Sequence, residues 1–236
     1  MSVVPTSPAA QPTRQRIPPL ENGDRLTRAE FERRYGAMPE NVRAELIEGI
    51  VYMSSPVRVN RHAKPHVHLS GWFAYYLAKT PGIVDYGDNA TARLDDDNEP
   101  QPDLSLLLPK SLGGLAHVDE DDYIVGPPTL ACEIAGSTAS IDLHAKLEAY
   151  RRTGVREYLV WRTGDAAVDW FVLEGGRYVA LPRDAAGVVR SVHFPGLWLD
   201  TTALLAGNLA GVLRAVDAGV ATPEHAEFVR RLIPAS

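Results

Sequence analysis

A single cysteine among 236 residues, Cys132, excludes an intrachain disulfide and suits a reducing cytoplasm. It lies in the run Thr129-Leu130-Ala131-Cys132-Glu133-Ile134, where it reads as a small buried side chain rather than a nucleophile. No stretch is apolar for the length a membrane span needs. The best, Thr202 to Leu213, is short and ends at Arg214. The first residues have neither the charged head nor the apolar centre of a signal peptide, so a cytoplasmic protein without a membrane partner is expected. Positive charge is also in short supply. The formal net charge of −6 opposes a broad electrostatic grip on duplex nucleic acid, which relies on clustered Lys and Arg. Internal repeats are missing too.

What remains is the composition of an ordinary soluble protein, 45% hydrophobic and 23% charged, long enough for one substantial core. Residues 1–22, rich in Pro, Ser, Thr, Gln and Ala, cannot bury enough surface to offset their ordering entropy and are expected to form a disordered tail. One domain is expected over 23–200, with 201–236 a helical segment packed on it. Thr27-Arg28-Ala29-Glu30 has capping-box spacing for a short helix ending at Gly36. Ala44-Glu45-Leu46-Ile47 and Ile50-Val51-Tyr52-Met53 flank Glu48-Gly49 as a hairpin. Leu69, Trp72, Phe73, Tyr76 and Leu77 recur at helical spacing after Arg61, with Pro65 tolerated in the first turn.

Short strands are expected at Ile83–Tyr86 and Thr91–Leu94, a solvated acidic turn at Asp95–Glu99, and a loop over 109–128. Buried strands follow at Leu104–Leu108 and Thr129–Ile134, then a helix over Ile141–Tyr150, then a strand at Glu157–Trp161. Ala167–Leu173, Arg177–Ala180 and Val188–Val192 read as an antiparallel extension, a surface that could support a homodimer, and Thr201–Val216 as one last amphipathic helix. The pattern of helices and strands around one sheet is α/β or α+β.

Three side chains carry the chemistry. Asp103 stands just before one apolar run and Glu133 within another, while Lys146 lies on the following helix within the arc defined by Leu143, Leu147 and Tyr150. A carboxylate in a run fit for burial needs a cation, a donor or a raised pKa. Two acids converging on one Mg²⁺ or Mn²⁺ meet that need together, since oxygen ligands suit these ions. The plainer alternative for Lys146 is a helix-surface pair with Asp142, four residues earlier. His62, His66 and His68 offer a competing metal site. His62 and His66 could share a helix face, but no HExxH or cysteine pair accompanies them, and His62 is better read as shaping the helix entrance or contacting substrate.

Pro102-Asp103, Glu133, Asp142 with Lys146 and Tyr150, and Gly154-Val155-Arg156-Glu157-Tyr158 together resemble the Uma-two family, a branch of the PD-(D/E)XK, restriction-endonuclease-like superfamily. Glu45-Leu46-Ile47-Glu48-Gly49, Ser54-Ser55-Pro56, His62 and Gly126-Pro127-Pro128-Thr129-Leu130 extend the resemblance over roughly residues 25 to 195. It implies a mixed central sheet flanked by helices, with Asp103 and Glu133 binding a metal and Lys146 steadying the attacking water and the phosphate. Glu45, His62, Asp142 and Tyr150 are accessory positions. One departure concerns the superfamily lysine two residues after the glutamate, a position held here by Ala135. Members of this branch commonly carry a lysine on the next helix instead, which is Lys146. The expectation is therefore a Mg²⁺-dependent endonuclease acting on DNA. Its alternative is a catalytically inactive module that keeps the fold for interaction or nucleic-acid binding, favoured by the acidic charge. Arg58, Arg61 and Lys64 form one small basic cluster, and Arg151, Arg152 and Arg156 another.

Overall fold

The computed structural model describes residues 16–233 except Ser55, Val84 and Ser137. Helix α1 (Arg28–Tyr35) starts at Thr27, whose hydroxyl accepts the Glu30 N–H. The Glu30 side chain turns to Arg33 and Arg34 rather than closing the capping box. Strands β1 (Ala44–Ile47) and β2 (Ile50–Met53) make the hairpin. Its turn residues Glu48 and Gly49 both have positive φ, 52° and 71°, as a tight primed turn requires. Glutamate is held there because its N–H donates to Asn98 Oδ1 at 2.8 Å. Leu20 is buried and Asn22 accepts the Met53 N–H, so the chain packs on this hairpin earlier than a tail through residue 22 implies. The first fifteen residues of that expected tail lie outside the described residues.

Helix α2 (Lys64–Lys79) is preceded by a π-turn over Val59–Ala63, and Pro65 sits in its first turn, where a missing N–H costs no helical bond. Then come β3 (Tyr86–Asp88), β4 (Ala92–Arg93) and β5 (Leu104–Leu106). The stretch expected as loop contains β6 (His117–Val118) and β7 (Ile124–Val125), and β7 pairs with both β4 and β6 in a small sheet. Strand β8 (Leu130–Ala135) leads through a second π-turn, Ile141–Lys146, into helix α3 (Leu147–Thr153) and strand β9 (Glu157–Arg162). Strands β10 (Ala167–Glu174) and β11 (Arg177–Ala180) follow.

The main sheet has the order β11-β10-β9-β8-β5-β3. Its pairs are antiparallel except β8 with β9, which the α3 crossover makes parallel. This is a mixed α/β fold. Strand β12 (Val188–Arg190) does not extend that sheet. It pairs with β13 (Trp198–Asp200) in a separate hairpin. Beyond it the single helix expected over Thr201–Val216 is two, α4 (Thr201–Leu205) and α5 (Leu209–Val220), and a further helix, α6 (Pro223–Leu232), follows. Gly207 at φ 71° and the N-cap Asn208 divide the first two.

Alternation along β8 sorts the two faces. Leu130, Cys132 and Ile134 join a core with Leu69, Trp72 and Tyr76 of α2 and with Val212, Val216 and Phe228 of the last helices. Ala131 and Ala135 face α3 and pack with Tyr150, Tyr158 and Val160. Glu133, midway between those alanines, therefore faces α3.

Gly219 shows how tightly the last helices are docked. A Cβ there would lie 2.4 Å from the Gly196 carbonyl oxygen and 2.9 Å from Trp198 Cγ, and Trp198 is tied in place by the Trp72 indole N–H donating to its carbonyl. Helix propensity alone favours alanine by about 1 kcal/mol. The backbone clash should outweigh it, so Gly219→Ala is expected to destabilise by about 1–2 kcal/mol in urea titration. Unchanged or increased stability would mean the β12–β13 hairpin yields freely.

Candidate active site

Leu104 pairs with Cys132, so one step outward Asp103 stands opposite Glu133 on the same face of the sheet. Asp103 Oδ2 accepts the Ile134 N–H at 2.7 Å, and its Oδ1 lies 3.0 Å from His62 Nε2. Glu133 Oε1 accepts from Lys146 Nζ at 3.0 Å and from the Tyr150 hydroxyl at 2.9 Å. The hairpin supplies Glu45, whose Oε1 is 2.8 Å from Lys146 Nζ and accepts the Gln101 N–H at 2.6 Å. Asp142 Oδ1 is 3.8 Å from the same ammonium, and its Oδ2 accepts the Thr138 hydroxyl at 2.5 Å.

Local backbone explains the convergence. Both helices that feed the site open with a π-turn, the wider i→i+5 spiral often found at functional sites. In the second of these turns Asp142 and Lys146 point the same way, with Tyr150 one turn further on. Strand β1 is held against the segment before Asp103 by reciprocal main-chain bonds between Leu46 and Glu99, which brings Glu45 to the end of β5.

All three residues of the expected triad, Asp103, Glu133 and Lys146, thus lie on one side of the sheet. The surface pairing of Lys146 with Asp142 is overturned. The lysine side chain is only 6% exposed, and its nearer partners are Glu45 and Glu133. Glu45 moves from accessory to direct contact because the hairpin folds back over the sheet, a tertiary event with no periodic signal. Thr138 and the Gln101 N–H, which orient Asp142 and Glu45, also went unmarked in the sequence; nothing in their local pattern distinguishes them. His62 and His66 do share a face, their rings stacked 5.8 Å apart at 14°. They serve different carboxylates, His62 meeting Asp103 and His66 lying 3.3 Å from Asp88.

The cluster is rich in acid: Glu45, Glu133 and Asp142 surround Lys146, and Asp103, opposite Glu133, carries His62 at the edge. Burial alone would lower the Lys146 pKa, but Glu133, Glu45 and Asp142 outweigh it and hold the ammonium charged far above its ordinary range. Burial pushes the Glu133 carboxyl well above the usual carboxylate range, with Asp142, Glu45 and Asp103 adding and Lys146 opposing. Burial also lifts Asp142 to about 6, against Lys146 and the Thr138 hydrogen bond. The hydrogen bond to Asp103 raises His62, and burial keeps the Tyr150 hydroxyl protonated as a donor.

A hard divalent cation suits this chemistry. Among the described residues no group of three or more His, Cys, Asp and Glu side chains is placed to cage a metal by itself. Mg²⁺ does not require one, since it keeps several waters and takes one or two carboxylates plus phosphate oxygens. Asp103 and Glu133, opposed on one face, fit that pattern.

Comparison with known proteins gives two findings. The Uma2 family model, described as "Putative restriction endonuclease", matches residues 28–202. A crystal structure described as "a putative nuclease belonging to DUF820 from Anabaena variabilis ATCC 29413" aligns with a TM-score of 0.55 at 13% identity, covering 75% of this chain and 97% of that one. No curated protein matches the chain.

The buried carboxyls make stability depend on pH with a definite sign. Burial raises Asp142 to about 6 and Glu157 to about 7, and burial with the Glu32 hydrogen bond raises Glu99 to about 8. Unfolded carboxyls titrate near about 4, so between about pH 5 and 8 the native state keeps protons that the unfolded state has released. Stability should therefore fall as pH rises through that window, and His62, also raised, acts in the same direction. Melting curves in metal-free buffer should show the decline. A melting temperature that rises from pH 5 to 8 would mean these groups are ionised and well paired.

Proposed function

The chain belongs to the Uma2 family, and on that premise we propose that it is a divalent-metal-dependent endonuclease that hydrolyses phosphodiester bonds in DNA. The observation that carries the reading is the pairing of Asp103 and Glu133 on one sheet face, with a buried ammonium 3.0 Å from Glu133. The family's description and the nuclease-like fold support the same class of chemistry.

Asp103 and Glu133 would hold Mg²⁺ or Mn²⁺, which when bound supplies Lewis-acid polarisation of a phosphoryl oxygen and a water of lowered pKa. Lys146 is the residue to meet charge developing on the phosphate, because Glu133, Glu45 and Asp142 keep it protonated at any working pH. The superfamily position two residues beyond Glu133 is Ala135, on the same face, so the ammonium comes from the crossover segment instead. Glu45 holds Lys146 from the hairpin side. Tyr150 fixes Glu133 by donating to Oε1, and His62 orients Asp103 through Oδ1. Every group named comes from one chain, so a homodimer is not needed to complete the site.

The deciding measurement is cleavage of a mixed DNA substrate in Mg²⁺ or Mn²⁺. Wild type should cleave, and Lys146→Met should slow cleavage by about two orders of magnitude, the scale for losing a preorganised charge donor. Wild type that binds DNA but never cleaves would replace the enzyme with a non-catalytic module. The same variant leaves buried carboxylates without their cation, so it should lose about 3–5 kcal/mol of stability in chelator and recover part of it in Mg²⁺. Glu133→Gln should abolish the rise in melting temperature that Mg²⁺ gives wild type. An undiminished rise would remove Glu133 from the ligand set.

A further inference from the structure

The acidic site raises a question of substrate capture, because a polyanion must approach a cluster of carboxylates on a protein of net charge −6. Several arginines are already spent on carboxylates and cannot help; Arg33, Arg93, Arg152 and Arg162 are examples. The segment around the first π-turn is different. Arg58 precedes it, Arg61 lies within it and Lys64 follows it, all three exposed. Among the described residues none of the three has a carboxylate partner.

The same turn sends His62 the other way, to Asp103. The opening of the site lies on this side, because His62 and Glu45 are its most exposed members, at 29% and 17% against 8% or less for the others. The turn is also fixed in place. The Arg61 carbonyl accepts the Thr163 hydroxyl at 2.8 Å, and a Cβ on Gly136 would come within 2.8 Å of that carbonyl oxygen. Only glycine permits so close an approach, so the backbone of the turn is clamped to the ends of β8 and β9.

We propose that Arg58, Arg61 and Lys64 are the docking site for the phosphates of a DNA strand, seating the strand so that one phosphodiester reaches the Asp103–Glu133 face. The assignment rests on the nuclease reading above and adds to it the place and direction from which substrate arrives. It also accounts for how an acidic protein can take a polyanion: attraction is local, confined to one short turn, rather than spread over the surface.

The test compares two triple variants of equal charge. Arg58→Gln/Arg61→Gln/Lys64→Gln removes the docking cations. Arg177→Gln/Arg214→Gln/Arg231→Gln removes three exposed arginines on β11, α5 and α6. Binding of fluorescein-labelled 20-mers, single-stranded in one arm and duplex in the other, is followed by anisotropy in Mg²⁺ from 50 to 200 mM salt. Circular dichroism verifies the fold of each variant and a denaturing gel the integrity of the probe. The docking variant should bind at least about tenfold more weakly at low salt. The slope of log affinity against log salt should shrink by about two to three, given about 0.9 per duplex contact and about 0.7 per single-strand contact. The control variant should stay within about twofold of wild type. The arm with the larger loss identifies the strandedness of the substrate. Equal losses in both variants, or no loss in the docking variant while wild type binds, would overturn the assignment and leave the nuclease reading standing. Wild type that binds neither probe would overturn the nuclease reading and the docking site with it.

Discussion

The buried ammonium of Lys146 is the interaction on which the site depends. It satisfies Glu45 from the hairpin, Glu133 from the central strand and Asp142 from its own turn, and so joins three separately folded elements. Taking such a group out of water is costly, and the surrounding carboxylates repay that cost only as a set. None of those carboxylates could be buried comfortably without it. The arrangement is self-consistent in the folded chain, yet the acids still outnumber the cations around them. That imbalance is what a divalent ion would correct.

The sheet provides the rigid part of this arrangement. Period-two alternation sends Leu130, Cys132 and Ile134 into the α2 core and Glu133 with Ala131 and Ala135 toward α3. A slip of β5 by one residue against β8 would turn Leu104 toward α3 and carry Asp103 into the main core, so the apolar contacts enforce the register that aligns Asp103 with Glu133. Stability and site geometry are here the same constraint. The crossover between β8 and β9 then delivers the lysine to the face where the acids already stand.

Glu157 performs an analogous service on the C-terminal side. Buried at the start of β9, its Oε1 accepts from the Ser191 hydroxyl and from the N–H groups of Val192 and His193. A carboxyl in the middle of the fold thereby fastens the segment that leads into β13 and the last three helices, whose apolar residues belong to the same core as α2. Those helices support α2, and α2 continues the turn that carries His62 and the basic residues at the mouth of the site.

Much of this was legible in the residues themselves. Apolar runs bounded by turn formers marked β5, β8 and β9, spacing marked α2, and an acid inside the run around Cys132 marked Glu133 as a group in need of a cation. Local signals of that kind survive because burial and periodicity are imposed residue by residue. The short strands β6 and β7, the separate pairing of β12 with β13, and the break at Gly207 escaped, since each is decided by which partner lies nearby rather than by its own pattern. Glu45 was marked only through the resemblance, and only as an accessory position. Its own local pattern, one acid in a hairpin strand, does not separate it from Glu48 three residues on, yet it is the closest carboxylate to Lys146. The sequence determined that Asp103, Glu133 and Lys146 needed partners. Tertiary structure alone decided that they would be one another's neighbours, because their ion pairs and hydrogen bonds form only when distant strands, hairpin and crossover share one low-dielectric space.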